Sequence, residues 1–588
     1  MTKIPENWKH RVSKETDKKI FSKFKYSAIL AKILADRGIT TEEEIDAFLK
    51  PSLKYLHDPK LLSNIDKGID RIKNAVSNNE NILIFGDYDA DGIISSVIAY
   101  NFLKKLSLNV DIYIPDRFKD GYDINLSFIK KISKKKYYNL IICVDCGTNS
   151  KEVEQFIDSS RSDIDIIVCD HHQPSKIDSS RKKSCKEEIK KYIIINPKLK
   201  NSNYPFKHLS GAGVTFKFIT AVLRELDEGL KKRFKKDYLT KLLDIVAIST
   251  IADIMPLVGE NRIIVKKGLE LLKETENKGL KKMLETVLSN KQEVDVYDVG
   301  FIIAPRLNAA GRIKSAKESL DLLKGDDGVD LEKLVEDLNS FNNKRQNLQR
   351  SILEEITGKN DFSYIASKQK IFIDKSKRWN EGVLGIAASS LASKYNIPII
   401  LFKEEGSRLK GSGRSMEKFN LYENLFSVRN LFEKFGGHEQ ACGITMVKSN
   451  FERFKEEMLK IASKKLKKID VEKNYYYDSK ITFKDLKGSL IKEIRLLKPF
   501  GSGNPKPAFV TSDCEIMDVS YTSNEKHAKL RLKNNNTVFE AVMFNINENK
   551  KKILYLREQV SILYNIIENS WGGRKTDQLV ILDIFQQI

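Results

Sequence analysis

The chain is poor in cysteine and histidine. Its 588 residues include six cysteines and seven histidines, and the cysteines form no framework of the kind that staples small secreted domains. Cys143 and Cys146 make one C-x-x-C pair, but no second pair completes a zinc site and Cys143 falls inside an apolar run. A disulfide scaffold is therefore excluded, and histidines that stand beside carboxylates become informative.

Long uncharged apolar stretches are also missing. No segment approaches the roughly 18–20 residues that a membrane-spanning helix needs. The start of the chain, MTKIPENWKH, has no apolar core of a signal peptide. We therefore expect a cytoplasmic protein without a membrane segment. The chain also lacks a Walker loop, a dinucleotide-binding fingerprint and a Ser-His-Asp arrangement.

Positive charge, by contrast, is in excess. Lys and Arg total 102 against 80 Asp and Glu, a formal net charge of +22. A surplus of that size attracts polyanions such as nucleic acid or an anionic membrane surface. Biased codon usage is an alternative explanation, because Lys, Asn and Ile are frequent throughout. Charge alone does not decide between the two.

The length indicates several domains, because single hydrophobic cores stop growing near about 250–300 residues. The predicted fold class is α/β, with a final all-β part. The predicted domains are a helical segment (1–75), a parallel-sheet domain (76–270), a linking segment with a long helix (271–365), a second α/β domain (366–470), and a linker followed by an OB-type β-barrel (471–588).

Two kinds of strand pattern support this division. Between residues 81 and 196, short β-branched runs alternate with helical segments, which indicates a parallel sheet covered on both faces. Ligands of such sheets bind beyond the carboxyl ends of the strands, where this chain places its polar clusters. After residue 510, five strand-like runs match the count of a small OB-type barrel.

The clearest polar cluster is DYDADG, which follows the first of these strands. It places Asp87, Asp89 and Asp91 on one tight loop, where the carboxylates repel one another unless a cation lies between them. A solvated acidic turn is the alternative. A calcium loop of the EF-hand type is disfavoured, because the bidentate Glu about twelve positions on is missing.

Three further segments extend the cluster: VDCGTN with Asp145, VCDHHQP with Asp170, His171 and His172, and IADIMPL with Asp253. Carboxylates with imidazole suit two Mn²⁺ or Mg²⁺ ions. Such ions, about 3.5–4 Å apart, share a hydroxide and neutralise charge on a phosphate, which is the chemistry of phosphodiester hydrolysis.

At these residues the chain resembles the DHH phosphoesterase superfamily, which takes its name from the Asp-His-His triplet. Its resemblance to the RecJ family within that superfamily covers nearly the whole length. The matching motifs, in order, are DYDADG, PDRFKDGYDIN, VDCGTN, DHHQP, INPKL, LSGAGVTFK, IADIMPLVGENR, PRLNAAGR, GSGRS, FGGHEQACG and PFGSGNPKP.

The resemblance implies a role for each matching position. Asp89 and Asp91 would each hold one metal ion, Asp145 would bridge the two, and His171 and Asp253 would complete the second site. His172 would face the scissile phosphate, and Asp87 would orient ligands. Three residues would contact the substrate or brace the metal ligands: Arg306, Asn308 and Arg312. Four residues would bind the DNA and its terminal phosphate: Arg117, Ser412, Arg414 and His438.

This sequence departs from the family pattern at two positions. Many DHH proteins have a His four residues before the first metal-binding Asp, where this chain has Phe85. The Trp-His of a later helix motif appears here as Trp379 and Asn380.

The resemblance implies a two-metal exonuclease that degrades single-stranded DNA from the 5′ end to mononucleotides, in a groove between the two α/β domains. Expected partners are single-stranded DNA, a single-strand-binding protein and a helicase, with the enzyme a monomer. One alternative is a DHH phosphodiesterase acting on short oligonucleotides or cyclic dinucleotides. Another is a catalytically inert DNA-binding scaffold, which the intact acidic residues disfavour.

Overall fold

The computed structural model describes most of the chain. The described residues are 4–11, 26–117, 123–132, 137–159, 163–175, 191–289, 291–467, 474–486, 488–523, 525–571 and 574–586. They fall into two compact units. The first unit comprises Met1–Ala304, Leu320–Leu331 and Tyr475–Ile588, and the second comprises Pro305–Ser319 and Glu332–Asn474.

A five-stranded, wholly parallel sheet is the centre of the first unit, as predicted. Its strands are β2 (Asn81–Gly86), β3 (Asn109–Tyr113), β4 (Leu140–Val144), β5 (Asp165–Cys169) and β6 (Tyr192–Ile195). They are ordered β3-β2-β4-β5-β6. Because every pair is parallel, the carboxyl ends of all five strands meet at one edge of the sheet.

Helices surround this sheet and form the N-terminal part of the unit. They are Ala28–Asp36, Glu42–Leu49, Ile65–Ser77, Ala90–Lys105, Leu126–Ile132, Lys151–Asp158, Gly211–Glu225, Glu228–Lys231, Tyr238–Lys241, Leu243–Ala252, Gly259–Leu271, Lys278–Val287, Val296–Asp298 and Lys317–Lys324 (whose first three residues belong to the second unit), with 3₁₀ or π turns at Leu53–Tyr55, Pro59–Leu61, Leu272–Glu274 and Val299–Ile303. No helix within the described ranges has the length and apolar character that crossing a membrane requires.

The first residues correct the expectation of a helical segment over 1–75. Strand β1 (Trp8–His10) pairs in parallel with β12 (Tyr475–Tyr477), near the opposite end of the chain. Trp8 is buried, and its indole nitrogen donates a 2.7 Å hydrogen bond to Asp583. The pairing depends on a partner more than 460 residues away, which local periodicity does not reveal.

The predicted C-terminal barrel is confirmed. Its strands are β13 (Ser479–Lys480), β14 (Ala508–Tyr521), β15 (His527–Asn534), β16 (Thr537–Phe544), β17 (Val560–Trp571) and β18 (Arg574–Gln586), with helices Leu490–Leu496 and Glu548–Leu556. Pairing of β14 with β17 closes the sheet. The N-terminal helices share its core, since Leu30, Ile33 and Phe48 cluster with Phe509 and Tyr564.

Arg262 joins the parallel-sheet part of the first unit to the segment before the barrel. Its guanidinium is buried and donates to the carbonyl oxygens of Phe48, Leu496, Leu497 and Lys498 at 2.8–3.0 Å. Burial, and to a lesser extent the charge of Arg37, lowers the pKa of Arg262 to about 9. These bonds anchor Leu496–Lys498, the residues that lead into the Pro- and Gly-rich segment at 499–507.

The second unit contains a mixed sheet of five strands, ordered β10-β11-β9-β8-β7. These are β7 (Phe372–Ser376), β8 (Ile399–Glu405), β9 (Arg408–Arg414), β10 (Lys434–His438) and β11 (Ala441–Val447), and only β7 and β8 are parallel. Its helices are Ala304–Ile313 (whose first residue belongs to the first unit), Leu331–Lys359, Phe362–Tyr364, Glu381–Tyr395, Leu421–Phe426 and Phe451–Lys465, with turns at Ile365–Gln369, Arg429–Leu431 and Lys448–Asn450.

The long helix of the linking segment, which the sequence predicts at about Leu331–Ile356 as a spacer between domains, is observed at Leu331–Lys359. It spans 29 residues, and its C-terminal part packs in the core of the second unit, where Ile352 and Ile356 contact the cluster around Trp379 and Leu384. The helix is therefore as much a structural part of the second unit as a spacer.

Candidate metal centre

The carboxyl ends of three neighbouring strands carry the acidic cluster of the first unit. Asp87 and Asp89 follow β2, Asp145 follows β4, and Asp170 follows β5. Asp89 caps the helix Ala90–Lys105, because its Oδ1 accepts from the backbone N–H groups of Asp91 and Gly92 at 3.0 and 3.2 Å. The sequence expectation that these segments share one sheet edge is confirmed by the parallel register.

Asp145 lies at the centre of this edge. It is 2% exposed and has a left-handed backbone conformation with φ +61°, and its N–H donates to Cys169 O at 2.9 Å. The helix Gly211–Glu225 approaches it so closely that a Cβ at Gly211 would lie 2.6 Å from Asp145 Oδ1. Only glycine fits at this point, which explains Gly211.

The same helix start fixes Asp91. Its Oδ2 accepts from Gly211 N and its Oδ1 from Ala212 N, each at 2.8 Å, while Ser249 Oγ donates to Oδ1 at 2.6 Å. A carboxylate is favoured at a helix N-terminus by the exposed N–H groups and the helix dipole. Sequence reasoning missed Gly211, Ala212 and Ser249. The glycines that open an apolar helix were the available signal.

His171 connects the carboxylates of this cluster. Its Nε2 lies 3.2 Å from Asp145 Oδ1, 3.5 Å from Asp253 Oδ2 and 3.8 Å from Asp91 Oδ2. Burial lowers the pKa of His171 to about 4, although the charge of Asp91 acts in the opposite direction. A neutral imidazole among carboxylates is the form that binds a metal ion.

The pKa shifts of the carboxylates indicate that their charged forms are unfavourable here without a nearby positive charge. Burial raises the pKa of Asp87, Asp145 and Asp253 well above the ordinary range. The next largest cause is the charge of Asp89 for Asp87, and of Asp91 for the other two. Asp145 Oδ1, Asp253 Oδ2 and His171 Nδ1 are buried without a hydrogen-bond partner among the described residues.

Buried acceptors without partners fit a bound divalent cation, since hard cations prefer carboxylate oxygens and accept imidazole. Three sets of side chains have ligand atoms within 4.8 Å of one another: Asp87, Asp89 and Asp145; Asp91, His171 and Asp253; and Asp145, Asp170, His171 and His172. Asp145 belongs to two of these sets, which is the position expected of a bridging ligand.

Asp170 is another residue whose role sequence reasoning missed. Its Oδ1 accepts from the backbone N–H groups of His171 and His172 at 2.7 and 3.1 Å, and lies 2.8 Å from His172 Nδ1. Burial opposes ionisation, but these contacts with His172 lower the pKa of Asp170 overall. Asp170 therefore orients the two histidines that follow it.

His172 forms an ion pair with Asp170, with 2.8 Å between Nδ1 and Oδ1. Burial of the ring would lower its pKa, but the hydrogen bond to Asp170 and the charges of Asp170, Asp253 and Asp87 raise the pKa of His172 to about 9. Arg117 lies on the same side of the cluster, with its guanidinium 5.4 Å from the centre of the Tyr88 ring. Tyr88 stands between Asp87 and Asp89, so the structure brings Arg117 to the acidic loop.

The two departures from the family pattern have local explanations. Phe85 packs into the apolar layer beside the sheet, where its ring contacts Tyr113 and Phe128 at centroid distances of 5.7 and 4.9 Å. Asn380 caps the helix Glu381–Tyr395, since its Oδ1 accepts from Gly382 N at 2.9 Å. Phe85 therefore offers no ligand, and Asn380 stabilises a helix start.

In the second unit the predicted phosphate-gripping residues lie on neighbouring strands. Arg414 on β9 and His438 on β10 both stand opposite Ala441 of the intervening strand β11. Arg414 donates to Ser412 Oγ at 3.0 Å and to Gly413 O at 2.8 Å. The structure thus brings Ser412, Arg414 and His438 to one part of this sheet.

The PRLNAAGR segment forms the helix Ala304–Ile313. Arg306 Nε donates to Asn339 Oδ1 of the long helix at 2.6 Å, and Arg312 lies 3.5 Å from the carbonyl of Gly382. Asn308 is half-buried on the same helix. These contacts place the segment against other elements of the second unit, and its role toward substrate stays a prediction.

None of the five cysteines that the structure describes belongs to the three candidate ligand sets. Cys143, Cys146, Cys169, Cys442 and Cys514 are buried free thiols, and burial raises the pKa of Cys169 well above its ordinary value. Cys185 lies outside the described residues.

Comparison with known families agrees with this architecture. Residues 81–250 match the DHH family N-terminal domain, residues 368–467 match the DHHA1 domain, and residues 477–583 match the RecJ OB domain. A parallel sheet with this cluster at its edge, followed by these two domains, defines a protein of the DHH class.

Relatives that match nearly the whole chain identify the family within the DHH class. The chain is 34% identical over 576 residues to the single-stranded-DNA-specific exonuclease RecJ of Bacillus subtilis, covering 97% of this chain and 70% of that protein. With RecJ of Escherichia coli it shares 27% identity, covering 95% and 96%. The chain belongs to the RecJ family.

Solved structures show the same fold. The crystal structure of RecJ from Thermus thermophilus in complex with Mn²⁺ superimposes with a TM-score of 0.79 at 25% identity, covering 96% of this chain and 77% of that one. A crystal structure of exonuclease RecJ bound to manganese gives 0.58 at 28% identity, covering 71% and 100%.

Proposed function

We propose that the protein is a metal-dependent exonuclease that degrades single-stranded DNA from the 5′ end and releases 5′-mononucleotides. The observation that carries the proposal is the convergence of Asp91, Asp145 and Asp253 on His171 Nε2 within 3.8 Å. One oxygen each of Asp145 and Asp253 is buried there with no hydrogen-bond partner in the described part of the chain. The relatives named as single-stranded-DNA-specific exonucleases support the choice of substrate.

Two divalent cations, Mn²⁺ or Mg²⁺, are proposed to bind here. Asp89, Asp91, Asp145, His171 and Asp253 would hold them, with Asp145 shared. When bound, such ions supply a hydroxide nucleophile at neutral pH and neutralise charge on the phosphate. Three hydrogen bonds fix the direction of the Asp91 carboxylate, which supports its proposed role as a metal ligand.

The side chains around the cluster would handle the substrate. Water would attack phosphorus and the bond to the 3′ oxygen of the terminal nucleotide would break, with a proton passing to that oxygen. The scissile phosphate then stays as the new 5′-phosphate of the shortened strand, and the released 5′-mononucleotide keeps the phosphate of the original end. His172 would donate a hydrogen bond to a phosphate oxygen, and its contact with Asp170 at 2.8 Å supports this role by orienting the ring. Asp87 would orient the metal ligands, and Arg306 and Asn308 would assist as substrate contacts.

Selection of the 5′ end is assigned to the basic residues outside the cluster. Arg presents a planar fork of donors that suits a terminal phosphate, which carries more charge than an internal diester. Arg117, Ser412, Arg414 and His438 would grip that phosphate, and Arg312 would contact the strand. The mutual arrangement of Ser412, Arg414 and His438 supports this assignment.

The C-terminal barrel would bind the strand further along. Tyr521 at its rim is 41% exposed and offers a face for stacking on a base. Phe539 instead packs on the barrel core, where its ring lies 5.3 Å from that of Phe483. Of these two aromatic side chains, only Tyr521 is a good candidate for stacking.

The wider setting is inferred from the resemblance. We propose a role in DNA repair and recombination in the cytoplasm, as a monomer, with a single-strand-binding protein and a helicase as partners. These partners would expose the single strand that the enzyme degrades.

End-labelled single-stranded and duplex DNA, incubated with Mn²⁺ or with a chelator, tests the proposal. The expected result is metal-dependent release of labelled mononucleotide from the 5′ end of the single strand and slow attack on the duplex. Release only from dinucleotides or cyclic dinucleotides would overturn the single-strand assignment and favour the short-substrate alternative. Binding without any cleavage would favour an inert scaffold.

A further inference from the structure

Asn196 lies where three strand ends of the parallel sheet meet. It directly follows β6 and is fully buried. Its Nδ2 donates to His172 O at 2.9 Å and to Thr148 Oγ1 at 3.0 Å, and its Oδ1 accepts from Lys198 N at 2.8 Å. His172 belongs to the loop after β5, and Thr148 belongs to the loop after β4. One amide group therefore joins the three loops at this edge.

The partners of this amide determine its orientation. The backbone N–H of Lys198 can only donate, and the backbone carbonyl of His172 can only accept. The side chain at this position must therefore present an acceptor on one side and a donor on the other. An asparagine amide does so, whereas leucine, which is similar in size, and alanine do neither. The second residue of the INPKL motif thus has a structural reason.

His172 is consequently held at its N–H, its carbonyl and its ring. The N–H donates to Asp170 Oδ1 at 3.1 Å, the carbonyl accepts from Asn196, and the ring Nδ1 lies 2.8 Å from the same Asp170 oxygen. Thr148 also acts on Asp170, since the Thr148 N–H donates to Asp170 Oδ2 at 3.0 Å. The His172 side chain is 39% exposed, so it is open to solvent although its backbone is anchored.

A second asparagine holds the same loop from the surface. Asn149 Nδ2 donates to Gln173 O at 3.1 Å, and Asn149 Oδ1 accepts from Ser175 N at 2.9 Å. Asn149 is exposed, whereas Asn196 is 0% exposed. Water readily replaces an exposed hydrogen bond but not a buried one. The backbone of His172 therefore depends more on Asn196 than on Asn149.

We propose that Asn196 is a positioning residue for His172, because it fixes the backbone from which the His172 ring reaches a phosphate of the substrate. Catalytic groups act efficiently only when they are held within about 0.5 Å of the productive geometry. Asn196 is buried and acts through His172 rather than by touching the substrate. The inference rests on the proposed function, since that function gives His172 its role.

Steady-state cleavage of a short single-stranded oligonucleotide with a 5′-phosphate compares the wild-type protein with Asn196→Ala. We expect kcat to fall about 10- to 100-fold, the range for residues that orient the groups of a metal site. KM should change less than about threefold, because the residues proposed to bind the strand stay in place. A rise of KM with an unchanged kcat would overturn the proposal.

Asn534→Ala is the matched control. Asn534 is a buried residue of the barrel whose Nδ2 donates to Ser512 O and Asp513 O and whose Oδ1 accepts from Phe483 N, so it also makes three hydrogen bonds. Its replacement should lower the unfolding temperature as Asn196→Ala does, yet leave kcat within about twofold of the wild-type value. An equal fall of kcat in the two variants would show a general effect of lost stability and would refute positioning.

Thr148 provides a milder test that keeps Asn196 in place. Thr148→Val removes the hydroxyl at nearly constant volume, whereas Thr148→Ser keeps it. We expect kcat to fall about three- to tenfold in Thr148→Val and to stay near the wild-type value in Thr148→Ser. This pair decides the question if Asn196→Ala does not fold, and equal kcat values in the two Thr148 variants would then contradict the proposal.

A double variant separates positioning from general bracing of the site. If Asn196 acts through His172, Asn196→Ala should lower the kcat of the wild-type protein but not that of His172→Ala. Multiplied losses in the double variant would mean that Asn196 supports other groups, and the assignment to His172 would be wrong.

Histidine NMR gives a readout that does not depend on cleavage. In protein made with isotope-labelled histidine, the ring N–H signal of His172 is identified by its loss in His172→Ala. It should shift or broaden in Asn196→Ala and stay unchanged in Asn534→Ala. An unchanged signal in Asn196→Ala would overturn the proposal whatever the activity. If the signal changes as expected but the wild-type protein does not cleave single strands, the proposed function fails while the positioning of His172 stands.

Discussion

The two α/β sheets of this protein carry opposite chemistry. The sheet of the first unit collects carboxylates around His171, whereas the sheet of the second unit carries Arg414 and His438. The difference follows strand direction. In the wholly parallel sheet every strand ends at one edge, so loops far apart in sequence converge there. In the mixed sheet, Arg414 and His438 come together because antiparallel pairing places both opposite Ala441 of β11.

The acidic residues of the first unit are also more deeply buried than the basic residues of the second unit. Asp145 is almost inaccessible, and burial and other carboxylates raise its pKa, so its charged form is favoured only beside a cation. Arg414 and Ser412 are only half-buried and lie beside the helix Glu381–Tyr395, where a Cβ at Gly385 would be 2.8 Å from Arg414 Nη2. The first set is suited to metal ions and the second to an anion that arrives from solvent.

The largest effect is expected for Asp145→Ala. Because Asp145 belongs to two of the three candidate ligand sets, its loss should reduce cleavage of single-stranded DNA about a thousandfold or more. DNA binding in a chelator should change little. Asp70→Asn, an exposed carboxylate of the same unit, is the control. Near-normal cleavage at saturating Mn²⁺ would refute the shared-ligand assignment.

Gly211→Ala tests the support behind the same cluster. The new Cβ would lie 2.6 Å from Asp145 Oδ1 and would displace the helix start that fixes Asp91. We expect Mn²⁺ affinity, measured by calorimetry, to fall about 10- to 100-fold, the usual range for residues that support metal ligands. Gly358→Ala is the control, because nothing lies within 4 Å of its Cβ. Unchanged affinity would show that Asp145 can move freely.

In the second unit, Arg414→Ala should mainly raise the KM for 5′-phosphorylated DNA, by about tenfold, because a charge-assisted hydrogen bond to the phosphate would be lost. The preference for a 5′-phosphate over a 5′-hydroxyl should then disappear, while the rate on the hydroxyl substrate changes less. The ratio of kcat/KM on the two ends measures this. A ratio equal to that of the wild-type protein would show that Arg414 does not recognise the terminus.

The smallest and most gradual effect is that of pH. The raised pKa values of Asp145 and Asp253 mean that protons compete with metal ions for these oxygens. Mn²⁺ affinity should therefore increase as pH rises, with protons released on binding. Consequently, added Mn²⁺ should raise the unfolding temperature by more degrees at pH 8 than at pH 6. A pH-independent shift would mean that the carboxylates are already ionised without metal.

Sequence reasoning succeeded where a motif is contiguous and stands at the end of a strand. The acidic loop around Asp89 and the triplet at Asp170 were placed correctly, because a run of β-branched residues fixes the strand and parallel pairing fixes its edge. It failed at Trp8–His10, whose strand depends on Tyr475–Tyr477 near the other end of the chain.

The sequence by itself thus determined the α/β class, the OB-type barrel and the residue types of the metal centre. Only the tertiary structure showed that Gly211 lies against Asp145 and that Ser249 holds Asp91, because both contacts join helices to a sheet edge across more than 60 residues. Such contacts depend on packing, and periodicity within a single segment carries no information about them.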